Sequence, residues 1–161
     1  MVARKMKPLL LFISPVFPSP DGPGLAMRPY HQIENLSEIF SIHLLVAGFH
    51  HETPIHNNVI RKYCDKIDYI RIHHYSGWRY SLWRCYHYFL DNLKCFVAGD
   101  YLSFSEDMGD VNYIRHNETL RTLVNMNFYR VHVYRLYRAP VAETLKKQGL
   151  NSFYSLDIDD I

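Results

Sequence analysis

The sequence predicts an α/β domain built on a Rossmann-like parallel sheet flanked by helices. Three observations predict it. Short apolar runs recur along the chain, and "PLLLFIS", bounded by Pro8 and Pro15, has the unbroken apolar character of a strand covered on both faces. Between such runs lie stretches with helical spacing, such as Tyr30, Ile33, Leu36 and Phe40. Strands that alternate with helices call for crossover connections, and the right-handed crossover rule then favours a parallel, doubly wound sheet.

Each element has its own warrant. Leu9 to Ser14 is the first strand. "PVFPSPDGPG" holds four prolines and two glycines in ten residues and is read as a loop. A helix is expected to open near Pro29, because a missing N–H costs nothing in a first helical turn. "SIHLLVAGF" is the second strand and "KIDYIRI", which alternates, the third, with "NNVIRKYCD" between them. From Ser76 to about Phe104 the chain is long, aromatic and free of proline. Trp78, Leu82, Tyr86, Phe89, Leu93 and Phe96 form one helical stripe there, while Trp83, Tyr88 and Leu90 lie off it. "GDVNYIRHNETLRTLVNM" reads as another helix and "FYRVHVYRLYRAP" as a fourth strand running into a loop. "PVAETLKKQGL" is a short helix marked by Pro140 near its start and Gly149 past its last turn. "NSFYSLDID" is a fifth strand.

Composition bounds the function. A length of 161 residues fits one domain with a real core, and residues 1–161 are read as such a domain. A formal net charge of +2 is too small for nucleic-acid binding by bulk electrostatics, so no nucleic-acid partner is expected. Three cysteines without C-x-x-C spacing, an odd number, argue against a disulfide framework or a zinc ribbon. The N-terminal "MVARKMKPLLLFISPVF" resembles a secretory signal, but the apolar run contains proline and lacks a small-residue cleavage site. No stretch approaches the roughly 20 apolar residues that cross a bilayer.

Ligands of such sheets bind beyond the carboxyl ends of the strands, which selects the candidate site residues. The loop after the first strand carries Asp21, Gly22, Gly24 and Arg28 ahead of a helix. Glycine allows close approach to backbone, a helix N-terminus favours an anion, and a guanidinium forks onto phosphate or carboxylate. The spacing is G-P-G, Pro23 removes one N–H, and no G-K-[ST] follows, so a plain turn is the competing reading. The pairs His50-His51 and His73-His74 point to opposite faces if they lie on strands, which makes them poor paired metal ligands. The aromatic segment carries Arg79, Arg84 and Lys94. It reads either as a core-packed helix or as a membrane-surface helix with peripheral contact. Asp157, Asp159 and Asp160 admit three readings: a metal-binding D-x-D, a haloacid-dehalogenase-type nucleophile motif, or a strand-end loop that orients a hydroxyl or caps a helix.

Three segments together carry a family resemblance: "LLFISPVFPSPDGPGLAMRPYHQIENLSEIFSIHLLV", "YRVHVYRLYRAPVAETL" and "SLDIDDI". In this order and separation they resemble the N-terminal domain of GT-B sugar transferases. The likeness is to the retaining, nucleotide-sugar-dependent glycosyltransferase group 1 (family 4), among members acting in polysaccharide and cell-envelope assembly. The resemblance implies a transferase with an acceptor-side domain in residues 1–161 and a C-terminal donor-binding domain outside this chain. Nucleotide sugar would be the co-substrate, with no cofactor or metal. The acceptor would be a glycan or lipid-linked, and the location cytoplasmic, including the inner membrane face. It implies that Gly22, Gly24 and Arg28 face donor diphosphate or acceptor, that Arg135 and Tyr137 line the cleft, and that Asp157 or Asp160 orients the acceptor hydroxyl. It removes the metal reading of the aspartates. The competing expectation, from the absence of a complete catalytic set, is a self-contained, non-catalytic α/β binding or regulatory module.

Overall fold

In the computed structural model of the chain, residues 7–48, 58–71, 118–135 and 138–157 are described. Five strands form one sheet: β1 (Leu9–Ser14), β2 (Ser41–Gly48), β3 (Lys66–Arg71), β4 (Arg130–Tyr134) and β5 (Phe153–Asp157). Helices α1 (Gly24–Leu36), α2 (Asn58–Arg61), α3 (Glu118–Val124) and α4 (Ala139–Lys147) connect and cover them. The strand order is β3-β2-β1-β4-β5, and all four pairings are parallel. The expected α/β class and parallel sheet are therefore what the chain adopts. The aromatic segment 76–104 and both histidine pairs lie outside the described residues.

The central strand explains why the fold closes. Every residue of β1 from Leu10 to Ser14 is buried, and alternate side chains serve opposite faces. Leu10 and Phe12 pack with Tyr30 and Ile33 of α1, Ile42 and Leu44 of β2, and Ile60 and Cys64 near α2. Leu11 and Ile13 pack with Leu120 and Leu123 of α3, Val131 and Val133 of β4, and Val141 and Leu145 of α4. A strand sealed on both sides has no place for a polar alternation, which is why "LLLFIS" is apolar throughout.

Helix α1 begins earlier than the sequence predicts. It opens at Gly24, and Pro29 lies inside it, buried against the sheet. Proline at that place removes one N–H and so deprives the Leu25 carbonyl of its usual partner. Ala26, Pro29, Tyr30 and Ile33 are the buried residues of α1, so sheet packing selects the register of the helix over the preference of proline for a first turn. Helix α4 runs between the expected signals, with proline in its first turn and Gly149 beyond its end. The buried Thr144 hydroxyl donates to the Pro140 carbonyl at 2.8 Å, which satisfies a group that the apolar face would otherwise strand.

Candidate functional site at the carboxyl rim

The strand order puts the topological switch between β1 and β4: the chain leaves β1 toward β2 and leaves β4 toward β5. The crevice there is the place where sheets of this kind receive ligands. Its first wall is the loop between β1 and α1. Ser14 Oγ donates to the Val16 carbonyl at 2.7 Å, and the Ser19 N–H donates to the Ala26 carbonyl at 3.1 Å, tying the loop to the helix. Gly22 is required for that closeness, since a Cβ there would stand 2.8 Å from the Ala26 Cβ. Gly22 thus has a packing duty. Gly24 differs: a Cβ there would meet nothing within 4 Å. It is the first residue of α1, no side chain caps that end, and no acid stands in the first turn. A helix end of this kind presents partial positive charge to the crevice. Arg28 is exposed one turn further on.

The second wall follows β4. Arg135 has φ of 78°, in the left-handed region that side chains other than glycine rarely adopt. Its guanidinium lies over the Tyr134 ring, 5.5 Å from the centroid. Such a backbone is kept where it aims a side chain, and here it holds a cation at the carboxyl end of β4. Tyr137 and Asp160, expected to join this wall, lie outside the described residues.

Below the rim, the α1 side of β4 and β5 is polar. Register pairs His132 with Ser155 and Tyr134 with Asp157, and these four side chains share one face because strand side chains alternate. His132 Nδ1 and Ser155 Oγ are 3.0 Å apart, and Ser155 Oγ reaches the Val131 carbonyl at 3.5 Å. With the serine proton toward Val131, Nδ1–H of the imidazole donates and Nε2 carries the lone pair. Burial pushes the His132 pKa down, favouring this neutral form; Asp157 pulls it up less strongly, and Arg130 adds to the lowering. The His132 ring lies 4.9 Å from that of Phe12. From α1, Gln32 Nε2 donates to Asp157 Oδ2 at 2.8 Å. His132 Nε2, Tyr134 Oη and Gln32 Oε1 are buried and have no hydrogen-bond partner.

The structure thus brings Arg135 and Asp157 to the carboxyl rim with the β1–α1 loop, and gives Asp157 a partner in Gln32. Gln32, His132, Tyr134 and Ser155 were not singled out in the sequence. Alternation would have shown the last three, since "RVHVY" and "FYSLD" each put two polar-tipped residues on one face, whereas Gln32, on a helix, has no such mark. Among the described residues no group of three His, Cys, Asp or Glu side chains is placed to hold a metal ion, and no helix is long and apolar enough to cross a membrane. A separate cleft opens at the other side of the loop, lined by Phe17, Val46, Arg61, Ile67, Asp68 and Tyr69.

No family model matches the chain, and no curated protein matches it. Among solved structures it is similar to a crystal structure of the C-terminal domain of a hydrogenase from Pyrococcus furiosus. The TM-score is 0.52 at 13% identity, over 94% of this chain and 91% of that one. A second crystal structure of that domain gives a TM-score of 0.48 at 13% identity, over 93% of this chain and 94% of that one. At such identity the first likeness speaks to architecture alone: the chain has a Rossmann-like α/β fold of five parallel strands flanked by helices.

Proposed function

We propose that the chain is the acceptor-side domain of a nucleotide-sugar-dependent glycosyltransferase, working with a donor-binding domain supplied from outside residues 1–161. The observation that supports this reading most is the convergence at one sheet switch of three kinds of group. These are the open helix end at Gly24, with Arg28 one turn on, the cation Arg135 held in a left-handed backbone, and the carboxylate Asp157 oriented by Gln32. Helix end and cations suit a diphosphate, and a fixed carboxylate suits a hydroxyl donor. In the transfer, the acceptor oxygen bonds to the anomeric carbon as the bond from that carbon to the phosphate oxygen breaks. The acceptor proton passes to the leaving phosphate. Asp157 would accept a hydrogen bond from the acceptor hydroxyl and aim it, while Arg28 and Arg135 would offset charge on the phosphate. Glycans and lipid-linked sugars are the acceptor class of this reading, and the cytoplasm with its membrane face is the location.

The test is a transfer assay on the native protein, using labelled nucleotide sugars and lipid-linked or oligosaccharide acceptors. The expected result is turnover that falls by about tenfold or more in Arg135→Ala and in Asp157→Asn, in line with loss of a charge-assisted contact in the transition state. Residues 1–161 alone are expected to bind nucleotide sugar weakly by calorimetry. Tight, metal-dependent binding to that chain would overturn the reading. Saturable ligand binding by the native protein without turnover of any nucleotide sugar would favour a non-catalytic binding module instead.

A further inference from the structure

Three buried polar atoms without partners, Tyr134 Oη, Gln32 Oε1 and His132 Nε2, belong to α1 and to the face of β4 and β5 that packs with it. A buried polar atom left without a hydrogen bond costs roughly 1–3 kcal/mol, so three of them together call for an occupant. Their chemistry defines it. Gln32 spends its amide N–H on Asp157 Oδ2 at 2.8 Å, so its carbonyl is left as an acceptor. Asp157 accepts through Oδ2 and keeps a second carboxylate oxygen. Tyr134 is 0% exposed, is the register partner of Asp157, and can donate or accept. His132, on the same face one alternation down β4, leaves Nε2 unpartnered, an acceptor in the tautomer whose Nδ1–H donates to Ser155. The set is rich in acceptors, and two of them, on Gln32 and Asp157, are joined by a hydrogen bond.

We infer that Gln32, Asp157 and Tyr134 form a subsite for a vicinal diol, the hydroxyl pattern of a sugar or other polyol. One ligand hydroxyl donates to the Asp157 carboxylate and its neighbour to the Gln32 carbonyl. The Tyr134 hydroxyl closes the contact by donating to a ligand oxygen. A monohydroxyl compound satisfies only one of the two joined acceptors. A phosphate is disfavoured at both, because its negative charge meets a carboxylate and two acceptors. The inference deepens the glycosyltransferase reading, since it states which chemical pattern the acceptor presents, but its evidence is confined to these side chains.

The experiment is NMR titration of the full chain, following the side-chain amide of Gln32 and the ring nitrogens of His132. The probes are cis-1,2-cyclohexanediol and methyl α-mannopyranoside, with cyclohexanol as the monohydroxyl control. The expected result is saturable shifts of the Gln32 amide with both diols, at an affinity about tenfold tighter than for cyclohexanol, which is what one further hydrogen bond contributes. Gln32→Glu, close in shape but without the amide donor, should abolish the diol-dependent shifts of the His132 ring nitrogens, and Tyr134→Phe should weaken the Gln32 amide shifts by a few-fold. Circular dichroism and the backbone spectrum of each variant report that it is folded. Equal shifts with cyclohexanol, or no shift with either diol while water cross-peaks appear at the Gln32 amide, overturn the inference: the place then holds an ordered water only. Transfer activity with absent diol shifts overturns this inference alone. Diol shifts in a protein that turns over no nucleotide sugar overturn the glycosyltransferase reading alone.

Discussion

Each half of the sheet contains one inward-facing histidine, fully buried at His43 and half-buried at His132, and the two are treated differently. In the β2–β3 half, His43 is 1% exposed and its Nε2 meets the Asp68 carboxylate at 2.8 Å. Lys66 Nζ holds the same carboxylate at 3.0 Å, and the Phe128 ring lies 5.6 Å from the imidazole. Around it, Leu44, Leu45, Val46 and Ala47 fill both faces of the sheet. In the β4–β5 half, His132 meets a neutral serine, and the groups beside it include a buried phenol and a buried amide carbonyl with no partner. The first half leaves His43 Nδ1 unpartnered, whereas the second includes Gln32 Oε1, His132 Nε2 and Tyr134 Oη among such atoms. The lesson is that one half is arranged for stability, while the other tolerates unmet hydrogen bonds near the end at which sheets of this kind receive ligands.

The largest test of that contrast is a pair of alanine substitutions. Leu44 is wholly buried in the first half, and Leu44→Ala should lower unfolding free energy by about 2–5 kcal/mol through lost transfer energy and the cavity left behind. Ser155→Ala, in the second half, removes one hydroxyl with two acceptable partners and should cost about 1 kcal/mol. Urea unfolding of both proteins measures the difference. Equal losses would mean that the two halves contribute alike.

Acid should separate the halves next. Desolvation lowers both histidine pKa values; for His43 the hydrogen bond and charge of Asp68 oppose it without cancelling it, and for His132 the charge of Asp157 does so. A group whose folded pKa is depressed takes up its proton more readily in the unfolded chain. The stability tied to each neutral histidine is therefore complete above the ordinary value of about 6.5 and is lost as pH falls from there toward the folded pKa. The slope can reach about 1.4 kcal/mol per pH unit for each histidine. Asp68 behaves differently. Burial, its largest single influence, raises its pKa, but hydrogen bonds from Lys66 and His43 and their charges together hold it below the ordinary value. Its contribution is complete above the ordinary carboxylate value and is lost as the pH falls from there through the depressed one, below the ordinary histidine value. Urea titrations between pH 7 and 5 should show falling stability, and His132→Asn should remove about half of the slope if both sites count equally. An unchanged slope would leave His43 as the sole source.

How much of this was legible beforehand follows from the range of each signal. Strand β1 has the expected bounds, because an apolar run between prolines is a local signal. Helix α4 follows for the same reason, with Pro140 and Gly149 marking it. The start of α1 was misplaced by five residues, since packing of Ala26 and Pro29 on the sheet outweighed the local preference of proline. Arg135 and Asp157 were legible as residues at strand ends. The side-chain contacts at and beside Asp157 were not, because the Gln32–Asp157 contact spans 125 positions and the His132–Ser155 contact spans 23. Such pairs depend on the register between parallel strands and on which helix lies above them, and neither has a local sequence mark.

A smaller prediction concerns the backbone at the rim. Arg135 has φ of 78°, a conformation that costs a side-chain-bearing residue roughly 1–2 kcal/mol and glycine almost nothing. Arg135→Gly should therefore be more stable than Arg135→Ala by about 1 kcal/mol after the added unfolded-state entropy of glycine is counted. Both should bind phosphate-bearing ligands more weakly than the parent. Thermal unfolding and phosphate titration read the two effects separately. Should alanine prove as stable as glycine, the left-handed backbone would not be strained, and its role in aiming the guanidinium would lose its support.

The smallest effect is the most discriminating, because it turns on sign. Tyr154 and Tyr134 sit on adjacent strands of the second half, but the Tyr154 hydroxyl donates to the Leu150 carbonyl at 3.0 Å, whereas Tyr134 Oη has no partner. Tyr154→Phe removes a made hydrogen bond and should destabilise by about 0.5–1.5 kcal/mol. Tyr134→Phe removes a hydroxyl that burial has stripped of water without compensation, so it should stabilise the protein, by at most about 1 kcal/mol. The same substitution should weaken binding of a diol, so stability and binding move in opposite directions at one atom. That is the expected mark of a group kept for a ligand and not for the fold. If Tyr134→Phe destabilises as much as Tyr154→Phe, the hydroxyl is already satisfied within the protein, and the contrast between the halves of the sheet disappears at the residue on which it most depends.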